Sequence, residues 1–199
     1  MRRWMIRLTA GLLIAVALWF NYPFIPNPVV LLFKMPSSDI ASISSLGRWS
    51  MHGANPAGTN FIMDSAAVLE GRIVKSIDLG PTTRSSPAII DGVIYIGGHF
   101  KITAIEIDSS QTIWETATTG PVHGTPAVAG NTLYLGLLDK RILALDLESG
   151  MLRWEYKADA PFSGSVSVEN GMVYAGSQDG YVYALDAESG RLLWKLGTG

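Results

Sequence analysis

The sequence predicts an all-β fold, a partial β-propeller of about three four-stranded blades, preceded by one N-terminal transmembrane helix. Three observations predict this fold. A period of 40 residues separates Trp114, Trp154 and Trp194, and a repeat of that length is typical of solenoids and propellers. Each period holds short apolar runs between turn residues, which is the pattern of β-strands. An uncharged apolar segment, Leu8 to Phe20, follows the first arginines and is typical of a membrane helix.

Composition excludes several classes of function. The chain has 199 residues, of which 48% are hydrophobic and 16% are charged, so it is long and apolar enough to bury a core. The formal net charge of −2 gives no basic surface, and no nucleic-acid partner is expected. Cysteine is absent, which excludes disulfides, thiolate metal sites and a lipid-modified N-terminal cysteine.

The first element is the segment 1–22, predicted as a signal-anchor transmembrane helix. A helix of about 18 residues from Met5 to Tyr22 would be about 27 Å long, close to the thickness of the hydrocarbon core. A cleaved signal peptide is the alternative, but the only small-x-small pattern, Ala15-Val16-Ala17, lies inside the apolar run. A buried helix of a soluble domain is disfavoured because the segment has no polar face. An uncleaved anchor is therefore favoured.

The arginines that precede the helix predict its orientation. Positive charge stays on the cytoplasmic side, so the N-terminus is expected in the cytoplasm and everything after Tyr22 outside it. This predicts a single-pass protein of the cell membrane with an extracytoplasmic propeller. Prolines at 23, 26 and 28 end the helix, and residues 23–48 are predicted as a juxtamembrane linker. Residues 49–199 are predicted as the incomplete propeller.

Each repeat is predicted to form one blade, and the three blades span about 76–114, 115–154 and 155–194. In the first blade the predicted strands are Pro87 to Ile90, Val93 to Gly97, Ile102 to Ile107 and Thr112 to Thr116. The first hairpin turns are Asp91-Gly92, Gly130-Asn131 and Asn170-Gly171, residue types that tolerate the positive φ of a two-residue turn. The second strands are almost continuously apolar, which predicts that neighbouring blades cover both of their faces.

The third turn of each blade carries the most specific motif. Ala144 to Trp154 and Ala184 to Trp194 both read A-x-D-x-x-[ST]-G-x-x-x-W. This pattern resembles the repeat of the pyrroloquinoline-quinone-like propellers, a family that includes quinoprotein alcohol dehydrogenases and the non-catalytic BamB-type outer-membrane assembly proteins. A WD-repeat propeller has a similar period, but its Gly-His and Trp-Asp pairs do not recur here.

Each residue type that recurs in the motif has a physical role. The aspartate can accept hydrogen bonds from turn amides, and the glycine can supply positive φ. The alanine leaves room for a large side chain, and the tryptophan can fill such a slot. The resemblance implies that consecutive blades dock in this way, so packing is favoured over ligand stacking for the tryptophans. The predicted blade-docking residues are Trp114, Trp154, Trp194, Ala104, Ala144, Ala184, Asp146, Asp186, Gly150 and Gly190.

The first repeat departs from the motif in two places. Glu106 replaces the aspartate and Ser110 replaces the glycine, so its third turn is expected to be looser. Further upstream, Lys75 stands at the tryptophan position, which predicts the last strand of a partial earlier blade. Closed propellers have about four to eight blades. Three blades therefore predict that the chain is a fragment of a longer protein; assembly of partial rings between chains is the alternative.

No catalytic, cofactor-binding or metal-binding residue is predicted. His52, His99 and His123 lie in different segments without metal-ligand spacing, and no serine lies in a nucleophile elbow. The glycines are explained by turns, because no phosphate-binding loop opens a helix.

Two functions therefore remain. The favoured one is a membrane-tethered, extracytoplasmic binding or scaffold module, similar to BamB, with a protein or cell-envelope partner and no cofactor. The alternative is a fragment of a quinoprotein dehydrogenase using pyrroloquinoline quinone with calcium. The resemblance implies that those enzymes need a full ring, a calcium site and commonly a vicinal cysteine pair, and this chain has no cysteine. BamB-type proteins are lipoproteins, so a similar role here would use a helical anchor instead.

Overall fold

The computed structural model describes residues 50–52, 73, 75–79 and 84–198. Residues 1–49 lie outside this part. They hold the predicted transmembrane helix, the predicted linker and the first residue of the predicted propeller, so the helix and linker stay predictions. All regular structure in the described part is β and forms three four-stranded antiparallel sheets. No helix in these ranges is long and apolar enough to cross a membrane. The prediction of an all-β fold with three four-stranded blades is confirmed.

Each sheet is a meander in which strands consecutive in the chain are neighbours. The first sheet contains β1 (Ala88–Ile90), β2 (Val93–Gly97), β3 (Lys101–Glu106) and β4 (Thr112–Ala117). The second contains β5 (Ala127–Ala129), β6 (Thr132–Gly136), β7 (Arg141–Asp146) and β8 (Leu152–Lys157). The third contains β9 (Ser167–Glu169), β10 (Met172–Gly176), β11 (Tyr181–Asp186) and β12 (Leu192–Gly197). Every fourth strand continues past its tryptophan, beyond the predicted blade ends at 114, 154 and 194.

The first hairpin of each sheet is a two-residue turn. Asp91 and Gly92 have φ of 48° and 80°, and Asn170 and Gly171 have 49° and 71°. In the second sheet Gly130 has φ of 56°, while Asn131 is not among the residues with positive φ. Positive φ at the first position alone is the pattern of a type II′ turn, which closes a two-residue hairpin as well as type I′ does.

The third turn has the same backbone in all three sheets, which corrects the expectation of a looser first turn. The amide of residue 106, 146 or 186 donates to the carbonyl five residues later, at 2.9, 2.8 and 2.8 Å. Ser110 adopts φ of 61°, close to the 70° of Gly150 and Gly190. The difference is confined to side chains, because Glu106 accepts from the Ser109 hydroxyl at 2.6 Å whereas the shorter aspartates also reach turn amides.

The second sheet lies between two hydrophobic cores. Tyr134, Ile142 and Ala144 face the core shared with the third sheet, and the alternate residues Leu133 and Leu143 face the core shared with the first. All five residues of β6 are buried, as the continuous apolar run predicts. β2 and β10 are less completely buried, because each of their sheets has only one of the other two sheets as a neighbour.

The first strands of adjacent sheets lie next to each other, β1 beside β5 and β5 beside β9. Hydrogen bonds join the segments that enter these strands: Ser85 Oγ donates to the Gly124 carbonyl at 3.0 Å, and Ser165 Oγ accepts from the Thr125 amide at 3.0 Å. Radial propeller blades meet in this way, with their first strands innermost.

Candidate functional site

The candidate site is the pair of interfaces between consecutive sheets, where the predicted docking residues Trp114 and Trp154 meet Gly150 and Gly190. Trp114, on β4, donates from Nε1 to the carbonyl of Leu147 in the second sheet at 3.0 Å. Trp154, on β8, donates to the carbonyl of Ala187 in the third sheet at 3.0 Å. Each indole therefore satisfies a backbone acceptor in the third turn of the next sheet. Both interfaces use the same bond because the two acceptors are also 40 residues apart.

The motif glycine lies directly against the preceding tryptophan. A Cβ atom on Gly150 would lie 2.5 Å from the Trp114 ring, and one on Gly190 would lie 2.6 Å from the Trp154 ring. Real Cβ atoms do not approach other atoms so closely, so these positions need glycine for close approach as well as for positive φ. Only the positive φ could be predicted from the sequence.

The motif alanine lies between two aromatic rings of its own sheet. Ala144 is paired in register with Tyr134 on one neighbouring strand and Trp154 on the other, and their ring centroids are 5.8 Å apart. Ala104 and Ala184 have the same arrangement, with tyrosine to tryptophan distances of 5.9 Å. All three alanines are fully buried. A larger side chain here would meet the tilted aromatic pair.

Tyr134 adds a second hydrogen bond to this interface, and the sequence motif did not predict it. Its hydroxyl donates to the Ala187 carbonyl at 3.0 Å, the same oxygen that accepts from Trp154. Burial raises the pKa of Tyr134 above its ordinary value, so the hydroxyl stays a donor. The recurrence of tyrosine at 95, 134 and 174 was the available signal.

The motif aspartates organise the turns. The Asp146 carboxylate accepts from the Ser149 amide at 2.9 Å, from the Ser149 hydroxyl at 2.8 Å and from Arg153 at 2.6 Å. Arg153, followed by the Ser149 hydroxyl and amide, holds the pKa of Asp146 well below its usual range. Asp186 accepts from the Ser189 amide at 2.8 Å and hydroxyl at 2.7 Å, and it is fully buried.

Further glycines are in close contact across the interfaces. A Cβ on Gly97 would lie 2.3 Å from Val122, and one on Gly136 would lie 2.8 Å from Phe162. The equivalent Gly176 in the third sheet has nothing within 4 Å of its Cβ position. The recurrence of these glycines is visible in the sequence, but their partners are not, because Val122 and Phe162 differ in type.

Trp194 differs from Trp154 in its surroundings. It keeps the contact with Tyr174, yet it is only partly buried, whereas Trp154 has 9% of its surface exposed. The three histidines are not brought together into a metal site. Within residues 50–52, 73, 75–79 and 84–198, no group of three His, Cys, Asp or Glu could hold a metal ion.

A sequence model of the family described as outer membrane protein assembly factor BamB matches residues 98–199, half of the chain. The chain belongs to the BamB family. The matched residues include both tryptophan interfaces, which places this BamB-family motif at the contacts between sheets. No curated protein sequence matches the chain.

Solved structures show the same fold. BamB from Moraxella catarrhalis matches 58% of the chain with a TM-score of 0.52 and 21% identity. A europium-containing methanol dehydrogenase matches 85% of the chain with a TM-score of 0.65 and 17% identity. A quinohemoprotein alcohol dehydrogenase from Comamonas testosteroni matches 88% of the chain with a TM-score of 0.65 and 20% identity. The chain spans only 40%, 33% and 29% of these proteins, respectively. At these identities the likeness is one of fold.

Proposed function

We propose that this BamB-family chain is a membrane-tethered, extracytoplasmic propeller that acts as a non-catalytic binding or scaffold module. The match of residues 98–199 to the outer membrane assembly factor carries the proposal. Residues 1–22 would supply the anchor in place of a lipid, since the chain has no cysteine. The partner would be a protein or another component of the cell envelope.

The described side chains support a structural use of the conspicuous polar and aromatic groups. The carboxylates of Asp146 and Asp186 accept hydrogen bonds within their own turns. Trp114 and Trp154 are directed at the next sheet by their indole hydrogen bonds. We therefore propose that the ten motif residues build and dock the blades, and that the partner binds the loops which the docked blades present.

The loops at the two ends of the blades offer positions to test this. Phe100, in the turn between β2 and β3, is 46% exposed, and Met151, in the turn before β8, is 71% exposed. These turns lie at opposite ends of their sheets. A photo-crosslinking amino acid would be placed at each position in the full chain in intact cells. We expect a discrete adduct with an envelope protein from one end and not the other; no adduct from either end would argue against a binding module.

The quinoprotein alternative stays open because two dehydrogenases match more of the chain than BamB does. Among the described residues, no group of three His, Cys, Asp or Glu could hold a metal ion. Addition of pyrroloquinoline quinone and calcium to the full chain, followed by a dye-linked alcohol oxidation assay, separates the two functions. We expect no turnover above a calcium-only control, and robust turnover would replace the proposal with the alternative.

The anchor is tested separately. Membrane vesicles would be washed with alkaline carbonate and then treated with protease from the extracytoplasmic side. We expect the chain to remain in the pellet after the wash and its propeller to be digested. Release by carbonate would contradict the anchor.

A further inference from the structure

The first sheet receives a lysine where the other two sheets receive a tryptophan. The Lys75 ammonium donates to the carbonyl of Ile107 and, at 2.7 Å, to that of Asp108. Ile107 precedes Leu147 and Ala187, the two acceptors of the indoles, by one and two periods of the repeat. Lys75 therefore occupies the hydrogen-bonding position of the docking tryptophan.

The receiving turn differs at the matching place. Ser110 stands where Gly150 and Gly190 stand, and it has the same left-handed φ, 61° against 70°. In the second sheet, a Cβ atom on Gly150 would lie 2.5 Å from the Trp114 ring. In the first sheet, the Cβ atom of Ser110 occupies the equivalent position. A flexible lysine can pass beside this side chain and still reach the carbonyl with its terminal amine. A rigid indole in the same pose would overlap it.

The docking slot of the first sheet is the space beside Ser110 that leads to the Ile107 carbonyl. We infer that Ser110 makes this slot selective for lysine over tryptophan, so that Lys75 of the same chain occupies it and a second copy's Trp194 does not. Trp194 is partly exposed and its motif matches that of Trp154. Docking of Trp194 on the first sheet of another copy would join copies head to tail, and such a contact propagates when the rotation does not close. The lysine and serine pair blocks that addition.

The first test introduces an indole at position 75, both with Ser110 present and with Ser110 replaced by glycine. The variants are Lys75→Trp and Lys75→Trp/Ser110→Gly, in the full chain in detergent labelled with 5-fluorotryptophan. The chain has six tryptophans, so each variant adds a seventh ¹⁹F resonance. We expect that resonance to be solvent-accessible in the single variant and protected in the double variant. Protection in both variants would overturn the selectivity.

The second test measures association, with Trp194 as the probe. The double variant Lys75→Ala/Ser110→Gly opens the slot. Sedimentation of this variant of the full chain should show association that increases with protein concentration. The further change Trp194→Ala should remove this association. Lys75→Ala alone keeps Ser110 and is expected to sediment like the native chain. Association of Lys75→Ala equal to that of the double variant would show that serine does not exclude the indole.

A reciprocal change at the second interface covers the case in which Lys75→Trp does not fold. Gly150→Ser should expose Trp114 to a soluble quencher, and the further change Trp114→Lys should recover the lost melting temperature, by roughly 2–10 °C. No recovery, with Trp114 still protected in Gly150→Ser, would contradict the inference.

Discussion

Trp154 and Trp194 have nearly the same local sequence and the same partners within their own sheets, yet among the described residues only Trp154 contacts a further sheet. Each stands opposite a buried alanine and 5.8 or 5.9 Å from a tyrosine ring. Trp154 additionally donates to Ala187 and packs on Gly190. The motif therefore builds the hairpin and orients the indole, whereas the energy of docking depends on the neighbour that receives it.

The largest expected effect breaks the docked member of this pair. Trp154→Ala removes the indole from a site with 9% exposure and should lower the free energy of unfolding by about 3–5 kcal/mol. Trp194→Ala is the matched control and should cost roughly 1–2 kcal/mol, because its ring is only partly buried. Urea unfolding followed by far-UV circular dichroism measures both. Equal losses would mean that inter-sheet docking adds nothing to the contacts within the sheet.

A second comparison separates the two reasons for a motif glycine. Gly190→Ala meets both left-handed strain and the Trp154 ring, and should cost about 2–5 kcal/mol. Gly180 has φ of 81° but nothing within 4 Å of its Cβ position, so Gly180→Ala should cost only the strain of about 1–2 kcal/mol. Thermal or urea unfolding gives the difference. If the two variants were equally stable, close approach to the tryptophan would not explain the glycine.

The repeat made the fold predictable, because the strands and turns of each unit are determined by residues within that unit. Trp114, Trp154 and Trp194 recur with the apolar runs, and the turn residues between them locate the strands to within a residue or two. Hairpin chemistry and periodicity act over a few residues, which is why one sequence suffices for them.

The contacts between sheets were harder to predict, because they depend on distances between separate units. The sequence aligns Lys75 with the tryptophans, but it does not indicate that the Lys75 ammonium reaches the Ile107 carbonyl, or that Gly150 lies against an indole. The predicted looseness of the first turn was wrong for a different, local reason: the backbone bonds of that turn persist when Glu106 and Ser110 replace the motif residues.

A smaller effect sharpens the comparison between the covered and the open sheet faces. A Cβ on Gly136 would lie 2.8 Å from Phe162, whereas Gly176 has open space at the equivalent position. Gly136→Ala should therefore cost about 1–3 kcal/mol through overpacking. Gly176→Ala should leave stability unchanged or raise it by about 0.4–1 kcal/mol, because alanine restricts the unfolded chain. Unfolding in urea measures both, and a large loss in Gly176→Ala would show that another group covers this face.

The smallest effect concerns a charge pair in the second sheet whose arginine is replaced by a leucine in the third. Arg153 pairs with Asp146, while Leu193 stands at the equivalent position. Arg153 and Ser149 hold the pKa of Asp146 below its ordinary value in the folded chain. The carboxylate therefore stabilises the fold fully above the unfolded pKa of about 4, and this contribution falls as the pH drops towards the folded pKa. Asp146→Asn should accordingly be less stable than the native chain at pH 6 and approach it as the pH is lowered from 5 to about 2.5.

The matched variant Arg153→Gln keeps the aspartate and removes the strongest cause of its low pKa. Its loss of stability should also shrink with acid, and with added salt, because the pair is partly exposed and screened. Urea unfolding of the native chain and both variants across this pH range provides the measurement. A loss that stays constant down to pH 2.5 in both variants would assign the role of Asp146 to the neutral hydrogen bonds of its turn. The second and third sheets would then stabilise this turn in the same way, and Arg153 would be incidental to it.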